Sequence, residues 1–116
     1  MPKKTIIGII QSKISSSYNS NLSTAIKNIK KAANKNAKII CLPELFLTNY
    51  FCQTESHSNF KFAEKIPGKT SKIFSDLSKE LNVVLMISMF EKKTRGFYHN
   101  TSIVINEKGK ILSKYR

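Results

Sequence analysis

The chain of 116 residues is enough for one small domain and not for two. Hydrophobic residues make up 41% of it, which is a globular composition rather than a disordered one. The formal net charge is +13, from 20 Lys+Arg against 7 Asp+Glu, and no apolar run approaches the roughly 18–20 residues that a membrane helix needs. That charge invites a nucleic-acid reading, but 18 of the 20 basic residues are lysine, spread along the whole chain. Arginine is the residue that reads phosphate, and only Arg95 and Arg116 are present. A genome biased toward A and T yields such a lysine-, asparagine- and isoleucine-rich chain without selection for binding. The charge therefore speaks for solubility, and neither nucleic acid nor membrane is expected as a partner. The basic start "MPKKTIIGII" has an apolar stretch of strand length only, Ile6 to Ile10, shorter than a signal-peptide core of about 7–15 residues. The expected location is the cytoplasm. Two cysteines, Cys41 and Cys52, do not make a secreted disulfide framework.

In chain order, "KTIIGIIQSK" predicts a buried strand over residues 5–11. The polar loop "SSSYNSN" ends in Ser20 and Asn21, either of which suits a helix N-cap. Leu22, Ala25, Ile26, Ile29, Ala32 and Ala33 then share one helical face, with lysines opposite, and the helix is expected to end near residues 34–36. "AKIICL" predicts a second buried strand. Strand, helix and strand with nearly continuous apolar strands make a parallel, right-handed βαβ unit. A long loop is expected over residues 46–68. "IPGKT" turns into a second helix, whose apolar face is Ile73, Phe74, Leu77 and Leu81. "NVVLMISMFE" predicts a third strand over residues 82–91. Gly96 marks a bend, and residues 98–105 and 111–116 predict an antiparallel hairpin. The fold class is α/β, a mixed sheet with two helices. Two helices cover one sheet face, so the other is expected to be open and apolar.

Within "IICLPELFLTNYFCQTE", Glu44 directly follows Pro43 at the end of the second strand, the edge where open α/β sheets place their sites. Leu42, Leu45, Phe46 and Leu47 surround it in sequence. Such a carboxylate is expected to lose hydration, which tunes it as a general base. The plainer alternative is a strand-end glutamate, exposed or paired to a lysine. Cys41 reads as a small core residue and Cys52 as a loop residue within possible reach of Glu44. His57 and His99 lack metal-ligand spacing with the cysteines, and no metal site is expected. The four glycines, at 8, 68, 96 and 109, form no phosphate loop.

The segment "LPELFLTNYFCQTE" resembles the carbon–nitrogen hydrolase (nitrilase) superfamily, and the likeness runs through "KELNVVLMISMFEKK" to "FYHNTSIVINEKGKILSKYR". "NYFCQTE" with "FYHNTSIVI" is most similar to its N-carbamoylputrescine amidases. The resemblance implies amide cleavage through a thioester: a cysteine attacks, a glutamate takes the thiol proton, and a lysine stabilises the oxyanion. A carbamoyl amine such as N-carbamoylputrescine would give putrescine, CO2 and NH3 in polyamine synthesis, with no metal or organic cofactor. It implies that Glu44 is the base, while Tyr50, Phe51 and Gln53, on the loop behind it, are candidate substrate contacts or ordinary packing. The family's lysine directly follows a Tyr-Arg pair, here Tyr115 and Arg116. Lys114 lies three residues before that position and is expected to face the other way. The nucleophilic cysteine belongs to a later segment.

The resemblance thus implies that residues 1–116 are the N-terminal part of an α-β-β-α sandwich more than twice as long, inactive alone. A homo-oligomer or a companion C-terminal chain is the expected partner. The alternatives are a catalytically dead interaction fragment and, last, a basic nucleic-acid binder.

Overall fold

The structure, a computed structural model, describes residues 2–53 and 55–116. Five strands form one mixed sheet in sequence order: β1 (Ile7–Ile9), β2 (Ile39–Cys41), β3 (Val84–Thr94), β4 (Phe97–Ile105) and β5 (Ile111–Tyr115). β1, β2 and β3 run parallel, and β3, β4 and β5 antiparallel. Helices α1 (Tyr18–Asn34) and α2 (Lys69–Leu81) provide the parallel crossovers.

The helix boundaries follow from local hydrogen bonding. α1 starts earlier than Ser20 or Asn21, because Ser17 is its cap and its side chain accepts from the Ser20 N–H. Asn21 is instead a buried bolt. Its Nδ2 donates to the Ser15 and Leu47 carbonyls at 2.8 and 2.9 Å, and its Oδ1 accepts from the Ser15 N–H. The loop after β2 is thereby tied to α1. α2 ends on Asn82, which sits in the left-handed region at φ 55°. That residue closes the helix, so β3 starts at Val84 rather than at residue 82. The predicted long loop carries two short 3₁₀ turns, Phe51–Gln53 and His57–Phe62. Gly109 turns β4 into β5 at φ 79°, where a Cβ would come within 2.6 Å of the Ser75 carbonyl oxygen.

The period of two divides the sheet into unlike faces. Ile40, Leu85, Ile87, Met89, Ile103 and Ile105 point toward the helices and are buried with Ala25, Ile29, Phe74 and Leu77. Burying each large aliphatic or aromatic side chain contributes about 1.5–3 kcal/mol. On the other face Ile7 and Ile9 are 59% and 81% exposed, and Met86 is 43% exposed. The register lines Ile9, Cys41, Met86 and Val104 into an apolar row across four strands. This is the open face that two helices cannot reach.

On the covered face the Glu91 carboxylate is buried, at 2% exposure. It accepts from Thr101 Oγ1 at 2.9 Å, from Lys114 Nζ at 3.1 Å, and from Arg116 Nε and an Arg116 terminal nitrogen at 2.8 and 3.2 Å. Lys114 also donates to the Ile66 carbonyl at 3.2 Å. The Arg116 hydrogen bonds, helped by Lys114 and Thr101 and opposed by burial, bring the Glu91 carboxyl down from 4.5 to about 2.

The unfolded chain therefore takes up the Glu91 proton before the folded one does. Its stabilisation is complete above about pH 4.5 and is lost as the pH falls toward about 2. Denaturant melts across that range should show wild type losing stability faster than Glu91→Gln. At neutral pH, Glu91→Ala should cost about 2–3 kcal/mol, below the loss for a fully buried pair, since Lys114 and Arg116 can rehydrate.

Candidate active site

Glu44 stands just past the carboxyl end of β2, on the open side of the sheet. The backbone turns out of the strand at Pro43, and Leu45 adopts the left-handed region at φ 49°. That turn separates Glu44 from its neighbours: Leu45, Phe46 and Leu47 go into the core, and Phe46 meets Phe74 edge-on at 5.5 Å between ring centroids. The expectation that apolar neighbours in sequence strip Glu44 of water is therefore corrected. Its neighbours are buried, and Glu44 itself is exposed.

Side chains from β3, β4 and β5 gather around it. Asn100 Nδ2 donates to Glu44 Oε1 at 2.5 Å. Ser88 Oγ donates to Asn100 Oδ1 at 3.2 Å and accepts from the Leu45 N–H, also at 3.2 Å. Ser88, Ser102 and Tyr115 form one cross-strand row through the β3–β4 and β4–β5 registers. Leu42, Glu44, Ser88, Asn100, Ser102 and Tyr115 line an open concavity of about 380 Å³. A polar island thus interrupts an apolar sheet face.

The loop after Glu44 forms the rim. Tyr50 is 49% exposed, and its phenol is pushed up from 10.0, first by the Cys52 thiol and then by the Glu44 carboxylate. Cys52, Tyr50 and Glu44 therefore share one electrostatic neighbourhood. Phe51 packs into an aromatic cluster, 4.8 Å from Phe90 and 5.9 Å from Phe62, and Phe60 stacks on Tyr98 at 4.4 Å. Gln53 is exposed on the 3₁₀ turn. Among the expected loop residues, Tyr50 has its phenol raised in part by the Glu44 charge, while Phe51 anchors the loop to β3.

Other expected positions separate. Lys114 lies on the covered face against Glu91, opposite the face of Tyr115, as alternation along β5 requires. Cys41 is half-buried, with its Sγ 3.5 Å from Met86 Sδ in the apolar row. His57 leans on Phe60 at the loop, 5.8 Å between rings. His99 faces away from Asn100 along β4. Among the described residues no group of three or more His, Cys, Asp or Glu side chains could hold a metal ion, and no helix is long and apolar enough to cross a membrane. From sequence, Asn100 reads as a sheet or turn hydrogen-bonding residue and Ser88 is not singled out. The available signal was period two, which puts both on the face of Phe90 and Met86, where polar residues need a reason.

The geometry is that of an exposed carboxylate held by an amide at a sheet edge. A family model described as carbon-nitrogen hydrolase matches residues 6–116. The chain belongs to the carbon–nitrogen hydrolase family. Omega-amidase NIT2 of Homo sapiens is 34% identical over 110 residues, covering 95% of this chain and 38% of that protein. N-carbamoylputrescine amidase of Oryza sativa subsp. japonica is 33% identical over 114 residues, covering 97% and 38%. A solved carbon–nitrogen hydrolase from Helicobacter pylori G27 superposes with a TM-score of 0.90 at 30% identity, over 97% of this chain and 39% of that one. The chain thus spans about 38% of the length of the curated relatives that it matches. The nitrilase-type fold expected from sequence is present in the part that these residues form.

The Tyr50 environment gives a direct check on the loop. In Cys52→Ser, Tyr50 should ionise at lower pH than in the wild-type chain, because the neighbouring group that raises it most is gone. Tyrosine-ring NMR titration reads the shift.

Proposed function

We propose that residues 1–116 form the N-terminal part of a carbon–nitrogen hydrolase domain, and that Glu44 is the general base of its Glu-Lys-Cys amide hydrolysis. The observation that carries the reading is the exposed Glu44 carboxylate at the rim of the concavity between β2, β3, β4 and β5. In this reading the thiol of a cysteine attacks the amide or carbamoyl carbon and gives its proton to Glu44. A lysine ammonium stabilises the oxyanion. The leaving amine takes the proton from Glu44, which then activates the water that opens the thioester.

The lysine and cysteine of this chemistry have no match among these residues. Lys114 is occupied by Glu91 on the far face. The position following Arg116 falls, by alternation, on the face of Tyr115 and Glu44, where a lysine that follows a Tyr-Arg pair would meet the base. Cys41 lies within a strand beside Met86, and Cys52 sits on the loop beside Tyr50. Neither occupies the later segment to which the family's nucleophile belongs. Further chain, or a companion C-terminal chain, would supply both groups and cover the apolar row of the open face. A homo-oligomer is the expected assembly.

For the substrate we favour N-carbamoylputrescine, giving putrescine, CO2 and NH3. This places the enzyme in cytoplasmic polyamine synthesis. Support comes from the loop "NYFCQTE" and from the Oryza sativa relative. An omega-amidase activity is the second reading, favoured by the 34% identity to the human relative. Tyr50, whose phenol feels the Glu44 carboxylate, is the loop residue we favour as a substrate contact in either case, with Phe51 and Gln53 behind it.

The purified 116-residue chain should release no ammonia from N-carbamoylputrescine. Fused to the C-terminal remainder of the Oryza sativa relative, it should turn over, and Glu44→Gln should lower kcat by about 10²–10⁴-fold. Turnover by the chain alone that survives Glu44→Gln contradicts both the need for further groups and the role of Glu44. A well-folded fusion that never turns over favours an inactive binding fragment.

A further inference from the structure

We propose that Ser88 and Asn100 are positioning residues that fix which oxygen of Glu44 stays free to accept a proton. This rests on the reading of Glu44 as the base. The assignment follows from counting donors. The Leu45 N–H can only donate, so Ser88 Oγ accepts from it at 3.2 Å. The Ser88 hydroxyl is then free to give its proton to Asn100 at 3.2 Å, and the atom that receives it is the amide oxygen. The orientation of the Asn100 amide, which its shape alone would not give, is fixed from the other end: the Glu44 carboxylate can only accept, so it faces Nδ2 and turns Oδ1 toward the Ser88 hydroxyl. Glu44 Oε1 is thus occupied by a neutral donor, and Oε2 is the oxygen left for a substrate or thiol proton.

The relay also has a closed path. It leaves the backbone at Leu45, crosses β3 at Ser88 and β4 at Asn100, and returns to the side chain of Glu44, one residue before its start. Both ends of the base are therefore referred to the same two strands. Leu45 holds a left-handed φ of 49°, a conformation that a bulky side chain rarely takes, and its N–H is the one that Ser88 ties down. An exposed carboxylate on an unsupported turn would sample several rotamers. A base must instead lie within hydrogen-bond reach of the proton it takes. Because the site is exposed and water competes for each bond, the relay acts on orientation more than on stability.

The test is NMR of the Asn100 side-chain amide in the 116-residue chain. One Nδ2 proton should be shifted downfield and exchange at least about tenfold more slowly than in Ser88→Ala, the factor expected for a bond to a charged acceptor. Glu44→Ala should abolish the signature. Ser88→Thr, which keeps the hydroxyl, should restore it, and the melting midpoint should not follow the pattern. A wild-type spectrum without the shifted proton overturns the proposal. So does a signature that persists in Ser88→Ala or is lost in Ser88→Thr. Should Ser88→Ala fail to fold, the comparison of wild type with Glu44→Ala still tests the Asn100 arm. These readings need no turnover. Failure of the relay is therefore distinct from failure of Glu44 as the base, which ammonia release by the Glu44→Gln fusion reports.

Discussion

The arrangement of the site depends on one buried carboxylate. Glu91 points into the helix-covered side of β3 and gathers Thr101 from β4 with Lys114 and Arg116 from β5. A charge at 2% exposure is tolerated only when its oxygens are fully engaged, and here both are. Because β5 must present Lys114 and Arg116 to Glu91, it must present Tyr115 to the opposite side. A slip of one residue would break the pairs and bury Tyr115 instead. The register of an edge strand, usually weakly specified, is therefore set by electrostatics on the side away from the chemistry.

On the open side, the same alternation brings together what the site uses. The face carries an apolar row at Ile9, Cys41, Met86 and Val104, then Ser88, Ser102 and Tyr115, then the aromatic cluster on Phe90 and Tyr98. Glu44 enters at the boundary between apolar and polar zones, carried by the turn after β2. The side chain escapes the core because Leu45 takes the left-handed conformation and lets its own side chain go inward. A turn that hides three apolar residues and exposes the acid just before them is costly for a β-type or helical backbone. It is tolerated here because Asn21 ties the Leu47 carbonyl to α1 and Ser88 ties the Leu45 N–H to β3.

Much of this was legible in the residues. Period 3.6 at Ala25 and Ile29, and the apolar runs around Ile40 and Leu85, gave the α/β order and the parallel unit. Placing Glu44 at the carboxyl edge followed from that order. The position of Lys114 on the far side followed from counting by two. The environment of Glu44 did not: apolar neighbours in sequence suggested a desolvated acid, and a single positive φ sent it to water. The start of α1 was missed because Ser17, Ser20 and Asn21 are all good caps, and a tertiary bond to Leu47 decided among them. Ser88 and Asn100 were hidden for a related reason. Their partners lie 43 and 56 residues away in sequence, and only the fold brings them to Glu44.

The central claim is that Glu44 is one part of a catalytic set whose other parts approach from the open face. The coding sequence that follows the codon for Arg116 in the source genome tests it most directly. The account predicts a lysine at the next position, in frame or after one frameshift, and a cysteine after a short strand farther on. A stop with no remnant of either residue nearby would contradict it and leave a relic or a binding fragment.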